Sequence, residues 1–313
     1  LGDMWMVNKR YLNDGMFVTP KGTARLQKTE AYEFILGKSG AGRDYRVADL
    51  TTSIFNSNDA CAFFNSIGGY HPAKLRRYQE LIEAHISPEL SRIYEGLRLA
   101  ELDTVAMAEQ GTPYPIYNYD GVNVDSLYPV LNMLNTRWFI LGAGEKGDVK
   151  MPIENKAAFG NGWFAEKVVW ANNANEELDA LGVEDLRNTA IVAQNDFGFL
   201  KSGGTGSVNV KEYSTTEVKY DVESEKGGLV VFSEVYYPGW TATVDGAETE
   251  VGRANYILRA INVPAGKHEV VFSFDPQSVH TTEGIAYCGI GAFILLILAA
   301  GYSFRKEKKA TAE

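Results

Sequence analysis

The chain has little cysteine and little histidine, which narrows the chemistry that it can carry out. Its 313 residues include two cysteines, Cys61 and Cys288, and four histidines. Two thiols cannot form a disulfide framework or a cysteine zinc site. The histidines show neither the HxxxH nor the HExxH spacing of a zinc enzyme. The sequence therefore predicts no metal site and no cofactor.

An excess of positive charge and a nucleotide motif are also lacking. The formal net charge is −10, and an acidic chain repels nucleic-acid phosphates, so no nucleic-acid partner is predicted. Gly37-Lys38-Ser39 resembles the end of a phosphate-binding loop, but Tyr32 stands where that loop needs its first glycine. The stretch 203–207 (GGTGS) lacks the GxSxG order of a hydrolase and is typical of a linker.

The first residues lack the features of a secretory leader. Residue 1 is Leu, and no basic segment followed by a short apolar run opens the chain. We expect the chain to be the tail of a longer protein. A processed N-terminus is the alternative.

One long run lacks charge altogether. Residues 284–304 (GIAYCGIGAFILLILAAGYSF) are uncharged, and about 20 apolar residues suffice to cross a bilayer as a helix. The segment 305–313 that follows carries four basic residues and two acidic ones, which leaves −12 on residues 1–283. The positive-inside rule makes this basic tail cytoplasmic and residues 1–283 extracytoplasmic. A buried core helix is the alternative reading of the run.

The segment before this run has the pattern of a small all-β domain. Short apolar–polar alternations recur from Val208 to Phe274, and Asp245-Gly246 is a strong hairpin signal. Six or seven strands in about 70 residues predict an antiparallel β-sandwich at 207–280.

Residues 1–206 are mixed, and the overall fold class is α+β. Helical spacing predicts a helix that begins at Pro72, one with Pro88 in its first turn, and a third at 125–134 that is either broken or started at Pro129. The patterns also predict strands at 45–50, 137–141, 163–171 and 189–193 and a helix at 174–182. We therefore expect a mixed domain, a sandwich, a membrane helix and a tail.

The segment 68–78 (GGYHPAKLRRY) is dense in side chains that bind anions. Cations at the start of a helix oppose its dipole, so their presence suggests a lipid-phosphate site. The alternative is a solvated basic face paired with Glu80 and Glu83. The candidate residues are Tyr70, His71, Lys74, Arg76 and Arg77.

A second candidate cluster lies within the predicted sandwich. Aromatic rings with arginine and asparagine can stack on sugars and bind their hydroxyls. On residue chemistry alone, a structural corner at Pro238-Gly239 closed by a tryptophan is the stronger reading. The candidate sugar-binding residues are Tyr237, Trp240, Arg253, Asn255 and Tyr256.

These residues also carry a family resemblance. SEVYYPGWTATVDG and ANYILRAINVPAGKHEVVFSF, followed by a final membrane helix, resemble the C-terminal end of YfhO-type bacterial integral membrane proteins, in a form like that of Bacteroidetes members. SIGGYHPAKLRRYQELI, LNMLNTRWFIL and YLND resemble the same family. The combination is specific, although no single motif is.

The resemblance implies a polytopic protein similar to membrane glycosyltransferases of the GT-C type, which use a polyprenyl-phosphate sugar outside the cytoplasm. It places the chain in the bacterial inner membrane, next to an upstream transmembrane core of the same protein. Catalysis in such enzymes depends on acidic residues of an early outer loop, which lies outside this sequence, so no catalytic residue is carried over. The implied role is accessory to glycosyl transfer onto a cell-envelope glycan or lipid. A membrane-anchored, non-enzymatic glycan- or protein-binding or structural module is the alternative.

Overall fold

The structure is a computed structural model that describes residues 2–16, 28–40, 44–99, 128–143, 149–201 and 203–310. The helices are α1 (Gly2–Tyr11), α2 (Glu30–Ser39), α3 (Arg76–Leu81), α4 (Ser87–Leu99), α5 (Pro129–Met133), α6 (Ala174–Ala180), α7 (Gln194–Phe197) and α8 (Gln277–Ala310). A π-helical turn, Ile82–Ile86, joins α3 to α4. The α+β fold class predicted from the sequence is confirmed.

A four-stranded mixed sheet forms the first layer. Its strands are β1 (Arg46–Asp49), β2 (Asn65–Ser66), β3 (Thr136–Ala143) and β4 (Val149–Glu154). The order is β2-β1-β3-β4, with β1 parallel to both of its neighbours and β4 antiparallel to β3. Helix α2 covers one face of this sheet, where Tyr32 and Ile35 join Trp138 in an apolar cluster. The strands predicted at 45–50 and 137–141 belong to this sheet.

The boundary predicted at Pro72 differs from the structure, because the first helix begins at Arg76 and Pro72 lies in a turn outside it. Pro88 lies in the first turn of α4, as predicted, but α4 follows the π turn without a break, so the two predicted helices form one continuous run. Proline offers no N–H and crowds the carbonyl four residues earlier, and the wider π turn just before Pro88 accommodates that defect. Residues 100–107 of the second predicted helix lie outside the described residues.

A buried carboxylate caps the short helix α5. Glu89 of α4 is 2% exposed and accepts hydrogen bonds from the backbone N–H groups of Val130 (3.0 Å) and Leu131 (2.9 Å). These N–H groups lack partners within a helix, and the two oxygens of Glu89 supply the acceptors. The contact fastens α4 to the segment that leads into β3. Residues 125–127 of the helix predicted here lie outside the described residues.

Two antiparallel sheets pack as a sandwich. The remaining strands are β5 (Gly162–Ala165), β6 (Lys167–Ala171), β7 (Thr189–Ala193), β8 (Gly206–Tyr213), β9 (Glu217–Ser224), β10 (Gly228–Val235), β11 (Trp240–Val244), β12 (Ala247–Thr249), β13 (Gly252–Ala254), β14 (Leu258–Val263) and β15 (Gly266–Phe274). One sheet has the order β13-β14-β10-β5 and the other β12-β11-β15-β9-β8. The predicted turn at Asp245-Gly246 joins β11 to β12, and both of its residues have positive φ, as a type I′ turn requires.

The single strand predicted at 163–171 is two strands in different sheets. The first half, β5, pairs with β10 of the sandwich, and the second half, β6, pairs in parallel with β7. Helix α6 makes the crossover between β6 and β7, as the alternating pattern predicted. The chain changes direction at Glu166, whose N–H bonds to the carbonyl of Asn188. Period-2 alternation continues across such a break, so the pattern did not reveal it.

The predicted linker at 203–207 packs tightly on the sandwich. A Cβ at Gly204 would lie 1.8 Å from the carbonyl oxygen of Gly227, so only glycine fits there. The largest apolar cluster includes residues from both sides of this segment, such as Leu131 and Leu258. The division at 206/207 stays a prediction about domains, and the two regions share a sheet and a core.

The chain ends in a long exposed helix. Within α8, the segment Gln277–Tyr302 is apolar enough to span a membrane and is 0% buried. It includes most of the predicted span 284–304 and extends it toward the sandwich. Residues 311–313 of the predicted tail lie outside the described residues.

Replacing Glu89 with glutamine should flatten the pH dependence of stability between about pH 4.5 and pH 7. Burial raises the pKa of Glu89 from 4.5 to about 7. Because the folded-state pKa is the higher one, this group stabilises the fold below pH 4.5, and the contribution is lost as the pH rises through 7. The loss is on the order of 3 kcal/mol. Urea unfolding at pH 4.5 and 7.5 should show a smaller difference for Glu89→Gln than for the parent chain.

The exposed Glu83, in the π turn, supplies the matched control, Glu83→Gln, which makes the same substitution at an exposed position and is measured at the same two pH values. Equal pH dependence in the parent and Glu89→Gln chains would show that Glu89 does not titrate in this range.

Candidate functional site

The helix α8 leaves the sandwich at one defined end, which we name the membrane-side end. Strand pairing places the segments 213–217, 235–240, 254–258 and 274–276 there, since Trp240 pairs with Phe274, Val235 with Leu258 and Ser273 with Glu217. α8 begins three residues after β15 ends. The predicted sugar-binding residues lie in or directly beside these segments.

The YYPGW stretch is a turn packed against the start of α8. Gly239 has φ +104, and a Cβ on it would lie 2.8 Å from Cβ of Pro276. The Trp240 ring lies 5.2 Å from the Phe274 ring, and the Tyr237 ring lies 6.2 Å from it. Tyr237 is 47% exposed, whereas Trp240 is half-buried. The stretch is thus a structural corner that also presents one exposed aromatic ring.

An arginine supports this corner from within. The Arg259 guanidinium stacks 3.8 Å above the Trp240 ring, and its Nε donates to the carbonyl of Val235. Burial lowers the pKa of Arg259. Arg46 of β1 donates to Glu234, at 3.2 Å, so the first sheet is tied to the end of β10. Stacking on an arginine leaves less of the Trp240 ring free for a ligand.

A second charged cluster surrounds Glu177, and we name it the Glu177 cluster. Glu177 of α6 has no exposed surface and accepts hydrogen bonds from Arg77 (3.1 Å), Arg253 (3.3 Å) and the backbone N–H of Tyr256 (3.1 Å). The Arg77 guanidinium also lies 4.6 Å from the centre of the Tyr256 ring. Two residues assigned to different predicted sites, Arg77 and Arg253, therefore bind the same carboxylate.

The backbone beside this cluster is strained. Asn255 and Tyr256 have φ of 48° and 70°, which is uncommon for a bulky residue such as tyrosine. Asn255 is held in this conformation because its N–H and side-chain Oδ1 both bond to the backbone of Ile191. The Tyr256 hydroxyl donates to Glu80, and burial with this bond raises the pKa of Tyr256 to about 12. The hydroxyl consequently stays protonated at neutral pH.

The basic loop is exposed up to the point where it enters α3. Tyr70 and His71 are exposed, and Asn58 fixes the Tyr70 backbone through two hydrogen bonds. Lys74 lies over the Phe55 ring. Arg76 is exposed and pairs with Glu80, at 2.8 Å. This pairing with Glu80 matches the alternative reading of a solvated basic face, and phosphate binding by the loop stays a prediction.

The two predicted clusters meet at Arg77 and Tyr256. Of the ten predicted site residues, Tyr237, Tyr70, His71 and Arg76 have exposed side chains, while Arg253, Asn255 and Tyr256 are buried against protein groups. Sequence reasoning missed Glu177, although its helix was predicted. A single glutamate in an acidic helix gives no signal that it turns inward toward arginines far away in the sequence.

The comparison with protein families identifies part of the chain. Residues 190–285 match the family described as bacterial membrane protein YfhO. The resemblance predicted from the motifs is confirmed over that segment, which includes the whole sandwich from β8 onward and the start of α8. No curated protein and no solved structure matches the chain. Together with the apolar helix, the family match supports the assignment of the chain as a membrane protein.

Replacing Glu177 with glutamine should destabilise the fold by roughly 3 kcal/mol, because the buried guanidinium of Arg253 and the partly exposed one of Arg77 lose their counter-charge. Asp179→Asn, on the exposed face of the same helix, should change stability by less than about 0.5 kcal/mol. Urea unfolding of the detergent-solubilised chain, followed by near-UV circular dichroism, measures both. Equal midpoints for the two variants would mean that Glu177 is not the carboxylate that holds this cluster.

Proposed function

We propose that the chain is the extracytoplasmic module of a polytopic YfhO-type protein, and that it is accessory to glycosyl transfer from a lipid-linked sugar to a cell-envelope glycan or lipid. In this proposal α8 spans the inner membrane and the basic residues after it are cytoplasmic. The upstream transmembrane core supplies the catalytic groups. The chain positions substrate above that core.

The observation that carries the proposal is the short connection between sandwich and helix. Only Asp275 and Pro276 separate the end of β15 at Phe274 from the start of α8 at Gln277, and the packing of Gly239 on Pro276 restrains that connection. A module on a long flexible linker would sample many heights above the membrane. A module held this closely presents the same end to the bilayer at all times, which suits the orientation of a membrane-bound substrate.

The exposed residues are the best candidates for contact with substrate. Tyr237 lies at the membrane-side end, and Tyr70, His71 and Arg76 lie on the loop that enters α3. The next residue along, Arg77, contacts Tyr256 of the membrane-side end, so the loop ends beside it. An exposed arginine suits a phosphate, and an exposed tyrosine suits a sugar ring.

A second function, a binding or structural module without catalysis, is favoured by a different observation. Each buried carboxylate among the described residues is engaged by protein donors: Glu89 by two backbone N–H groups, Glu177 by two arginines, and Asp49 by Tyr32 and Thr51. A general base needs a carboxylate that can reach substrate. The engaged groups serve the fold instead.

The first function predicts variants that lose glycosyl transfer although the amount of protein in the membrane is unchanged. In the full-length protein, Tyr70→Ala combined with Arg76→Ala should lower the envelope glycosylation product by about tenfold, the effect of 1.4 kcal/mol of binding free energy. The product is quantified by mass spectrometry at matched amounts of protein in the membrane. Lys226→Ala with Lys267→Ala, at the opposite end of the sandwich, is the matched control.

An unchanged product in the Tyr70/Arg76 variant would remove this loop from the proposed site. Binding of glycan by the present chain without the upstream core, in a host that makes no product, would instead favour the second function.

A further inference from the structure

We propose that the YYPGW corner, with Tyr237 as its exposed ring, contacts the zwitterionic headgroup layer of the bilayer that α8 crosses. The occupant of this surface is thus lipid, and the contact sets the height and tilt of the sandwich. This inference depends on α8 spanning a membrane. It does not depend on glycosyl transfer, so failure of the transfer experiment leaves it standing.

The length of α8 places the corner at headgroup level. The candidate span of 26 residues, at 1.5 Å per residue, is about 39 Å long. A bilayer with its headgroup layers is about 40–45 Å thick, and its hydrocarbon core is about 30 Å. The polar residues 277–283 then cross the headgroup layer, and the apolar run begins at 284. The first residue of the span, Gln277, consequently lies at the outer surface of the headgroups.

The corner lies directly against that first turn of α8. Pro276 packs on Gly239, and the Phe274 ring contacts the rings of both Tyr237 and Trp240. No flexible segment separates the corner from the helix, so the corner cannot rise far above the layer that Gln277 reaches. Its height above the bilayer is determined by covalent connection and packing.

The side chains of the corner suit this environment. Tyrosine and tryptophan prefer the membrane interface, because an apolar ring and a polar group can each find a matching medium. The guanidinium of Arg259 stacks on the Trp240 ring, so the conformation of the corner is fixed by protein contacts and does not require lipid. Contact with the headgroups would remove part of the exposed Tyr237 ring from water.

The charges at this end favour zwitterionic over anionic lipid. Lys219 lies between Glu212, at 2.7 Å, and Glu217, at 3.4 Å, and Asp275 lies 2.5 Å from His280, so these groups leave no excess of positive charge to attract anionic lipid. Residues 1–283 carry −12 in total, which repels an anionic surface. Contact through aromatic rings requires no surface charge on the lipid.

Spin-label accessibility in reconstituted vesicles tests the proposal. The full chain, with Cys61→Ala and Cys288→Ala, carries a nitroxide at Tyr237→Cys or, as the matched control, at Lys226→Cys. Residue 226 lies in the turn at the other end of the eight-residue strands β9 and β10, which at 3.3 Å per residue puts it about 25 Å farther from the membrane.

In phosphatidylcholine vesicles, the label at 237 should collide with a water-soluble nickel chelate about threefold less often than the label at 226, because the headgroup layer excludes the chelate. Equal collision rates at the two positions would overturn the proposal. A difference that appears only when anionic phosphatidylglycerol is added would also overturn it, since it would indicate attraction by surface charge.

A measurement that leaves both cysteines in place guards against misfolding of the labelled chains. Phosphatidylcholine with a nitroxide on its headgroup should quench the tryptophan fluorescence of the parent chain more than that of Trp240→Phe. Equal fractional quenching of the two chains would contradict contact between the corner and the headgroups.

Discussion

The buried carboxylate of Glu177 is the contact on which the arrangement of the outer region depends. Glu177 belongs to α6. It holds α3 through Arg77, β13 through Arg253, and the strained turn at Asn255-Tyr256 through the N–H of Tyr256. Two segments far from α6 in sequence, one at Arg77 and one at 253–256, thus converge on one side chain. A buried ion pair adds little net stability compared with an apolar contact. Any arrangement that separates the two partners leaves a buried charge unpaired, however, and is therefore strongly disfavoured. The cluster therefore specifies how the mixed region sits on the sandwich.

A second constraint acts in the same direction. Strand β5 comes from the mixed region and completes the sheet of β13, β14 and β10. Arg46 of β1 reaches Glu234 at the end of β10. Backbone pairing, an ion pair and a shared apolar core thus join regions that composition alone separates. The packing of Gly239 on Pro276 also restrains the sandwich at the start of α8. The mixed region is joined to the sandwich, so its position relative to α8 is restrained as well.

Local patterns predicted the parts of this fold that local physics decides. The six longer strands from β8 onward, the turn at Asp245 and Gly246, the helix α6 and the apolar span follow from period, turn chemistry and length, whereas the three-residue strands β12 and β13 are too short to show a period. The break at Glu166 was missed, since alternation does not say with which strand each half pairs. Pro72 gave the wrong boundary, since α3 begins at Arg76, and the pattern did not reveal the π turn that joins α3 to α4 without a break. Long-range pairing decides the break at Glu166, and no nearby residue encodes that pairing.

The candidate site illustrates the same limit at the level of side chains. Residue type identified Arg77, Arg253, Asn255 and Tyr256 as chemically able to bind sugar or phosphate, and the fold does bring them together. In the fold, however, these side chains bind protein groups, chiefly Glu177 and Ile191, rather than facing solvent. Tyr237 and the loop around Tyr70 are exposed instead. An arginine that neutralises a buried carboxylate and one that awaits a ligand look alike in sequence, since the difference is the position of the counter-charge. The buried arginines and the strained turn at Asn255-Tyr256 stabilise the fold. The exposed rings and charges around them, such as Tyr237 and Tyr70, are the groups that remain able to contact lipid or substrate.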